Sequence, residues 1–265
     1  MNLLDTYVRG WRESADAVLS LAPSLDETDW STPTDCPGWT VKDVLAHLAH
    51  LETELCSIAQ NTHDVTGAHE LVSSYTEAGV AERRHRTPTE LIDELTAAVE
   101  LRSSRLVDVP DDPATPAPVT PGGISWTWDK LLRNRSLDMW VHEQDIRRAI
   151  GRPGGLDSTG AQIATMTFSL AMPFILGKKV RPPASSIVHW DVTGAVPLDL
   201  AVQIGDDGRA SPVNLVGQPT TTLSMDSETF TALAAGRRTS DMVDVTITGD
   251  HALGLATLAA MSVTP

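Results

Sequence analysis

Cysteine is scarce in this chain of 265 residues, which holds only Cys36 and Cys56. Two cysteines are too few for a disulfide framework, and the sequence contains no CxxC motif. The N-terminus also lacks the basic and then apolar order of a signal peptide. These absences together predict a cytoplasmic protein.

Positive charge is also in short supply. The chain has 20 Lys and Arg residues against 35 Asp and Glu residues, for a formal net charge of -15. This charge argues against nucleic acid or an anionic membrane as a partner. We further expect no segment to approach the roughly 20 apolar residues that are needed to cross a bilayer. The sequence leaves the oligomeric state open.

The N-terminal part of the chain has the pattern of a helical bundle. Apolar residues recur at helical spacing from Leu3 to Leu19. Thr40 and Asp43 are spaced as the capping box of a second helix, and Thr87-Pro88 opens a third helix that runs to about Val107. A proline-rich crossover loop then leads to a fourth helix at about 126–150. Four helices with one long connection predict a four-helix bundle, a fold that builds metal sites between facing helices.

The pattern changes after Gly155. Residues 158–177 predict one more helix, and alternating apolar residues then predict strands. We predict these strands at about 185–192, 196–204, 221–225 and 242–248, with further helices after Asp226 and from about Asp250. The C-terminal part is therefore expected to be a small α+β domain with an antiparallel sheet. We predict two domains, with residues 1–155 forming the bundle and residues 156–265 the α+β domain.

Asp138 and His142 are the most informative residues for function. Their i,i+4 spacing projects both side chains from the same side of the fourth helix. His47 lies on the apolar face of the second helix and points toward an interior. Two histidines and one carboxylate form a common catalytic zinc shell with one position left for water or substrate. We therefore predict a metal site at His47, Asp138 and His142, with zinc favoured and nickel, iron or manganese left open.

Asp145 is a second acidic residue on nearly the same side of the helix as His142. Two interpretations are open. Its carboxylate orients a metal ligand or a nearby arginine, as carboxylates around metal sites often do. Alternatively, it forms only a structural ion pair with Arg148 or Arg135.

Three segments carry a resemblance to a known family. These segments are Asp35–Leu48, Trp140–Pro153 and Ile247–Asp250. Through them the chain resembles the mycothiol-dependent maleylpyruvate isomerase family over nearly its whole length. The resemblance implies a DinB-like N-terminal four-helix bundle and a C-terminal α+β domain of the sterol-carrier type. It also implies a His, Glu, His metal shell, which falls here on His47, Asp138 and His142.

This sequence departs from the family pattern at the middle ligand, because Asp138 is one methylene shorter than Glu. The resemblance also implies a functional arginine in the C-terminal domain. Arg237 is the best match, and the alternative is a positive charge near the C-terminal end of a helix.

The resemblance implies that mycothiol, a small thiol of actinobacteria, is the cofactor beside the metal. A thiol of ordinary pKa near 8.5 is mostly protonated at neutral pH, and coordination to a metal deprotonates it. The implied activity is that of an isomerase or S-transferase acting on a small electrophilic, maleylpyruvate-like substrate. Two alternatives remain: a metal-dependent hydrolase on the same fold, and a non-catalytic binding or regulatory protein that has lost its metal.

Overall fold

The computed structural model of this protein describes residues 2–56 and 71–264. The chain divides into two compact units, one ending at Ile163 and the other covering Ala164–Thr264. The division falls inside a helix that begins at Thr159. The domain boundary predicted after Gly155 stays a prediction.

The first unit is helical, as expected. Its α-helices are α1 (Leu3–Leu21), α2 (Glu27–Ser31), α3 (Val41–Leu55), α4 (Glu77–Arg83), α5 (Pro88–Arg105), α6 (Trp128–Ala149) and the start of α7 (Thr159–Ser169). Shorter 3-10 turns lie at Ala22–Ser24, Leu106–Asp108 and Pro121–Gly123, and a π-helical segment covers Leu71–Thr76. The predicted capping boxes are present at Thr40 with Asp43 and at Thr87 with Glu90. Each one satisfies backbone N–H groups that would otherwise lack a partner at the helix start.

Helices α1, α3, α5 and α6 form the four-helix bundle, and each of them packs against two of the others. The core is an apolar cluster whose α6 members, Leu132, Met139 and Ile146, recur every seven residues. This repeat puts the three side chains along one stripe of the helix, in the same apolar cluster as the buried Trp11 of α1. Burial of each such side chain contributes about 1.5–3 kcal/mol, so packing of this stripe fixes α6 within the bundle.

The second unit contains a five-stranded sheet. Its strands are β1 (Ile187–Thr193), β2 (Leu198–Ile204), β3 (Ala210–Val213), β4 (Thr221–Asp226) and β5 (Thr246–Gly249), in the spatial order β3-β2-β1-β4-β5. The helices α8 (Ser227–Ala234) and α9 (His251–Ala260) complete it. In the register, Val188 of β1 lies opposite Val202 of β2 and Thr221 of β4.

The predicted α+β character is confirmed, and the sheet is antiparallel at every pairing except β1 with β4. That pair is parallel because the chain crosses from the edge strand β3 to the far side of β1 before β4 begins. A parallel neighbour needs such a crossover, whereas antiparallel neighbours need only a tight turn.

Two predicted elements differ from the structure. The predicted helix at 158–177 is interrupted: α7 ends at Ser169, and the chain continues through a helical turn at Met172–Phe174 and π-helical turns at Ile175–Val180. Pro173 explains the break, since proline cannot donate a backbone hydrogen bond and its ring clashes with the carbonyl four residues earlier. The strand predicted over 242–248 begins only at Thr246.

The expectation that no segment is long and apolar enough to cross a membrane was wrong. Within the described residues, Thr159–Val180 meets that test by length and composition: it has 22 residues, and its most apolar 18-residue window has a mean hydropathy of 1.3. Half of its most apolar window is buried within the protein. A core helix passes the same test, so this segment is weak support for a membrane span.

Candidate metal centre

The structure brings the three predicted metal ligands together inside the first unit. α3 supplies His47, and one turn of α6 supplies Asp138 and His142. His47 Nε2 lies 3.4 Å from Asp138 Oδ2, and His142 Nε2 lies 3.8 Å from Asp138 Oδ1. Both histidines are buried, while the Asp138 side chain is 22% exposed. Asp138 is therefore the partly exposed residue of the cluster, and a small molecule can approach the cluster from its side.

The donor spacing fits a single ion. One ligand atom from each of the three residues lies within 4.8 Å of the others. Zinc binds nitrogen and oxygen ligands at about 2.0–2.2 Å, so neighbouring ligands of a tetrahedral ion are about 3.4 Å apart. The 3.4 Å contact between His47 Nε2 and Asp138 Oδ2 is close to that separation, and the 3.8 Å contact of His142 Nε2 is with the other oxygen of the same carboxylate. Two imidazoles and one carboxylate are also a donor set that suits zinc and related divalent ions.

The protonation states favour coordination. Burial lowers the pKa of His47 to about 4, so its imidazole is neutral at neutral pH. Burial opposes ionisation of Asp138, but the charge of Arg135 and the nearby His47 and His142 together lower its pKa well below the ordinary value. Metal ligands must be deprotonated to bind. A neutral His47 and an ionised Asp138 already meet that requirement.

His142 is held in place through its second ring nitrogen. His142 Nδ1 lies 3.0 Å from Asp145 Oδ2, and the Asp145 side chain is fully buried. Arg148 donates to the other oxygen of Asp145 at 2.8 Å and to Asp35 Oδ2 at 2.7 Å. Asp145 thus contacts both a candidate ligand and Arg148, so the two interpretations are compatible, and a role at a metal site stays a prediction. A carboxylate at Nδ1 leaves Nε2 of the same ring free as the ligand atom.

His47 lacks an equivalent support. Among the described residues, its Nδ1 atom is buried with no hydrogen-bond partner. A buried polar atom without a partner costs free energy, which other interactions of the fold must offset. The two histidines of the cluster are thus held differently: His142 by a hydrogen bond, and His47 by the packing of its ring.

Trp39 supplies part of that packing, and sequence reasoning did not identify it. Its ring centroid lies 5.0 Å from that of His47 and 5.9 Å from that of His142. Its indole N–H donates to Glu77 Oε2 at 2.9 Å. The tight turn Asp35–Trp39, with Gly38 at a φ of +80°, delivers the ring to this position. A tryptophan directly after a Pro-Gly turn was the available signal in the sequence.

Sequence reasoning also missed a set of buried charges beside Asp138. Arg135, one turn earlier on α6, donates to Asp138 Oδ2 at 2.9 Å and to Glu52 Oε1 at 2.9 Å. Glu52 also accepts from Arg102 of α5. Burial opposes ionisation of Glu52, but the charges of Arg102 and Arg135 lower its pKa below the ordinary value. A glutamate within the apolar face of α3 was the signal for this network.

Arg237 lies in the second unit, just after α8. Its backbone N–H donates to the carbonyl of Ala232 at 2.9 Å, and its guanidinium donates to the carbonyl of Ala235 at 2.9 Å. Gly236 before it has a φ of +65°, a left-handed conformation that ends helices. These contacts match the alternative interpretation of Arg237 as a charge at the end of a helix. A functional role for Arg237 stays a prediction.

Comparisons with known proteins identify the family and the fold. The family described as the Mycothiol maleylpyruvate isomerase N-terminal domain matches residues 11–147. Two uncharacterized proteins of Mycobacterium tuberculosis, from the strains CDC 1551 / Oshkosh and ATCC 25618 / H37Rv, are each 22% identical over 96% of this chain and 93% of their own length. Crystal structures of the mycothiol-dependent maleylpyruvate isomerase and of a histidine-to-alanine mutant of it align with TM-scores of 0.55 and 0.56, at 16% identity and 92% coverage of both chains. At that identity the structures establish similarity of fold.

Proposed function

Because the chain belongs to the mycothiol maleylpyruvate isomerase family, we propose that it is a metal- and mycothiol-dependent isomerase or S-transferase. Its substrate is a small electrophile of the maleylpyruvate type. The observation that carries this proposal is the convergence of His47, Asp138 and His142 on one point between α3 and α6. The first two residues come from segments 91 positions apart in the sequence, so the fold itself creates the cluster.

A divalent ion, with zinc favoured, would be held by His47, Asp138 and His142. Such an ion supplies one kind of chemistry here: it lowers the pKa of a bound thiol, so that the thiol is a nucleophile at neutral pH. The donor set supports this assignment, since one carboxylate among the three ligands leaves a divalent ion with a net positive charge.

The neighbouring residues orient the candidate ligands and shield them from water. Asp145 holds the His142 ring with Nε2 directed toward Asp138. The Trp39 ring covers both imidazoles on one side and limits the access of water there. The partly exposed carboxylate of Asp138 marks the open side. We propose that thiol and substrate approach from this side.

Arg237 is proposed to pair with a carboxylate of the substrate. An arginine can donate two parallel hydrogen bonds to one carboxylate, which fixes the substrate in a single orientation. The resemblance to the family supports this role. The test is an Arg237→Lys variant, for which we expect a raised KM for the carboxylate substrate and unchanged metal content.

The first experiment is to measure bound metal per chain by mass spectrometry, on protein purified without chelator or a histidine tag. We expect about one ion per chain in the wild type and loss of that ion in His47→Ala and His142→Ala. His85→Ala is the matched control, because His85 is exposed and lies outside the cluster. Metal content that stays unchanged in His47→Ala and His142→Ala would contradict a metal site at these residues.

Turnover of maleylpyruvate with and without added mycothiol then tests the reaction. Thiol-dependent turnover by metal-loaded protein supports the proposal. Turnover that needs metal but no thiol would indicate a hydrolase, in which the ion activates water. A wild-type chain that takes up no divalent metal would indicate a non-catalytic binding or regulatory protein.

A further inference from the structure

Four charged side chains form a continuous row through the interior of the bundle. Arg102 of α5 donates to Glu52 of α3, and Arg135 of α6 donates to both Glu52 and Asp138. Arg102, Glu52 and Arg135 are each less than 5% exposed. Breaking one link of such a buried row leaves an uncompensated charge in a medium of low dielectric constant.

The Arg135 guanidinium donates hydrogen bonds to two carboxylates. Its Nη1 donates to Asp138 Oδ2 at 2.9 Å, while its Nη2 and Nε donate to Glu52 Oε1 at 2.9 and 3.2 Å. The planar fork of arginine fixes the angle between these bonds. Glu52 therefore sets the orientation of Arg135, and Arg135 in turn sets the orientation of the Asp138 carboxylate.

The two oxygens of Asp138 consequently differ. Oδ2 accepts the hydrogen bond from Arg135 and lies 3.4 Å from His47 Nε2, whereas Oδ1 faces His142 Nε2 at 3.8 Å. Each oxygen therefore faces one of the two histidines, and the hydrogen bond from Arg135 holds the carboxylate in this orientation.

We propose that Arg135 is a positioning residue for the metal site: its hydrogen bond to Oδ2 fixes the orientation of the Asp138 carboxylate between His47 and His142. This inference rests on the metal site of the proposed function. It also accounts for an aspartate at this position. A side chain one methylene shorter than glutamate has fewer conformations to restrain, and one hydrogen bond from a buried arginine is enough to orient it.

The test compares Arg135→Lys with Arg102→Lys. Both variants keep the positive charge, and both replace a buried arginine that donates to Glu52, but only Arg135 contacts Asp138. Zinc affinity is measured by competition with a chromophoric chelator. We expect Arg135→Lys to bind zinc about 10–100-fold more weakly, the usual loss when a residue supporting a ligand is replaced. Arg102→Lys should stay within about threefold of the wild type.

Cobalt supplies a readout of geometry that general loss of stability would not change. The visible absorption spectrum of the Co²⁺-loaded protein should change in Arg135→Lys and match the wild type in Arg102→Lys. Thermal unfolding in excess chelator records the stability of each variant without metal. If the lysine variant does not fold, Arg135→Met replaces it, since that change leaves Glu52 paired with Arg102.

The outcomes separate the two proposals. Wild-type zinc affinity in Arg135→Lys or Arg135→Met, or an equal loss in Arg102→Lys, would overturn the positioning role and leave the metal site intact. Failure of the wild-type protein to bind Zn²⁺ or Co²⁺ would overturn the site and the positioning role together.

Discussion

His142 Nδ1 lies 3.0 Å from the buried carboxylate of Asp145, and this contact leaves only Nε2 of His142 facing Asp138. The hydrogen bond thus selects the ring nitrogen that is available to an ion. Arg148 extends the support by joining Asp145 to Asp35, at the start of the turn that carries Trp39. The orientation of one candidate ligand is therefore tied to the loop that covers it.

Replacing Asp145 by Asn tests this support. We expect zinc affinity to fall about 10–100-fold, because the amide cannot supply the negative charge that fixes and polarises the imidazole. Competition with a chromophoric chelator measures the change. Asp129→Asn, on the same helix but outside the cluster, is the control. Equal affinities in the two variants would mean that Asp145 serves only its ion pair with Arg148.

Replacing Asp138 by Ala tests the ligand itself. Removal of one of three protein ligands should lower zinc affinity by roughly 100-fold or more and leave the purified chain nearly empty. Metal content per chain is measured for Asp138→Ala and for Asp129→Ala, which is the control. Unchanged metal content would show that Asp138 is no ligand, and the site would have to be sought elsewhere.

His50 gives a prediction for pH-dependent stability. Burial and then the charge of Arg83 lower its pKa from 6.5 to about 4, while its Nδ1 lies 3.2 Å from Arg83 Nη1. Because the folded pKa lies below the unfolded one, the folded chain binds this proton less readily than the unfolded chain does. The stability contribution is present above pH 6.5 and is lost as the pH falls toward 4.

The comparison of wild type with His50→Asn isolates this effect, since the amide oxygen of asparagine takes the position of Nδ1, accepts the same hydrogen bond and does not titrate. Between pH 7 and 4 the wild type should lose about 3 kcal/mol more unfolding free energy than the variant does. Urea unfolding in excess chelator measures both. His47 and the carboxylates near His50, Glu54 and Glu94, are present in both proteins, so their contributions cancel in the difference. Parallel pH profiles would contradict the prediction.

Glu52→Gln tests the buried charge network. The change leaves Arg102 and Arg135 facing a neutral side chain, and loss of one partner of a buried ion pair costs about 3–5 kcal/mol. The control is Glu100→Gln, which removes an ion pair with Arg12 whose glutamate is 63% exposed. Such a surface pair contributes about 0–1 kcal/mol. Chemical unfolding of both variants gives the comparison, and similar small losses would show that water reaches Glu52.

The helices and the common side of Asp138 and His142 were predictable from local sequence, whereas His47, 91 positions from Asp138, was identified from its place on an apolar helix face and from the resemblance to the family. The capping boxes at Thr40 and Thr87 set helix starts by local hydrogen bonds, and the i,i+4 spacing of Asp138 and His142 fixes their common side. Local chemistry of this kind depends on a few neighbouring residues, and it can be read from them directly.

The supports of the site were not predictable in the same way. Arg135 contacts Glu52 across 83 positions of sequence, and Trp39 reaches its partner Glu77 across 38. These contacts depend on how helices pack, which periodicity alone does not specify. The edge strand β3 was missed for a different reason. It contains Pro212, and proline within a run of residues argues against a strand except at the edge of a sheet, where β3 lies.

The row Arg102, Glu52, Arg135 and Asp138 has consequences for the order in which the protein matures. Its charges alternate in sign and sum to zero, so the row is electrically balanced before any ion arrives. Small zinc domains behave differently, since they stay unfolded until metal draws their ligands together. Here an ion would join a finished fold, and loading and unloading could proceed without unfolding the chain.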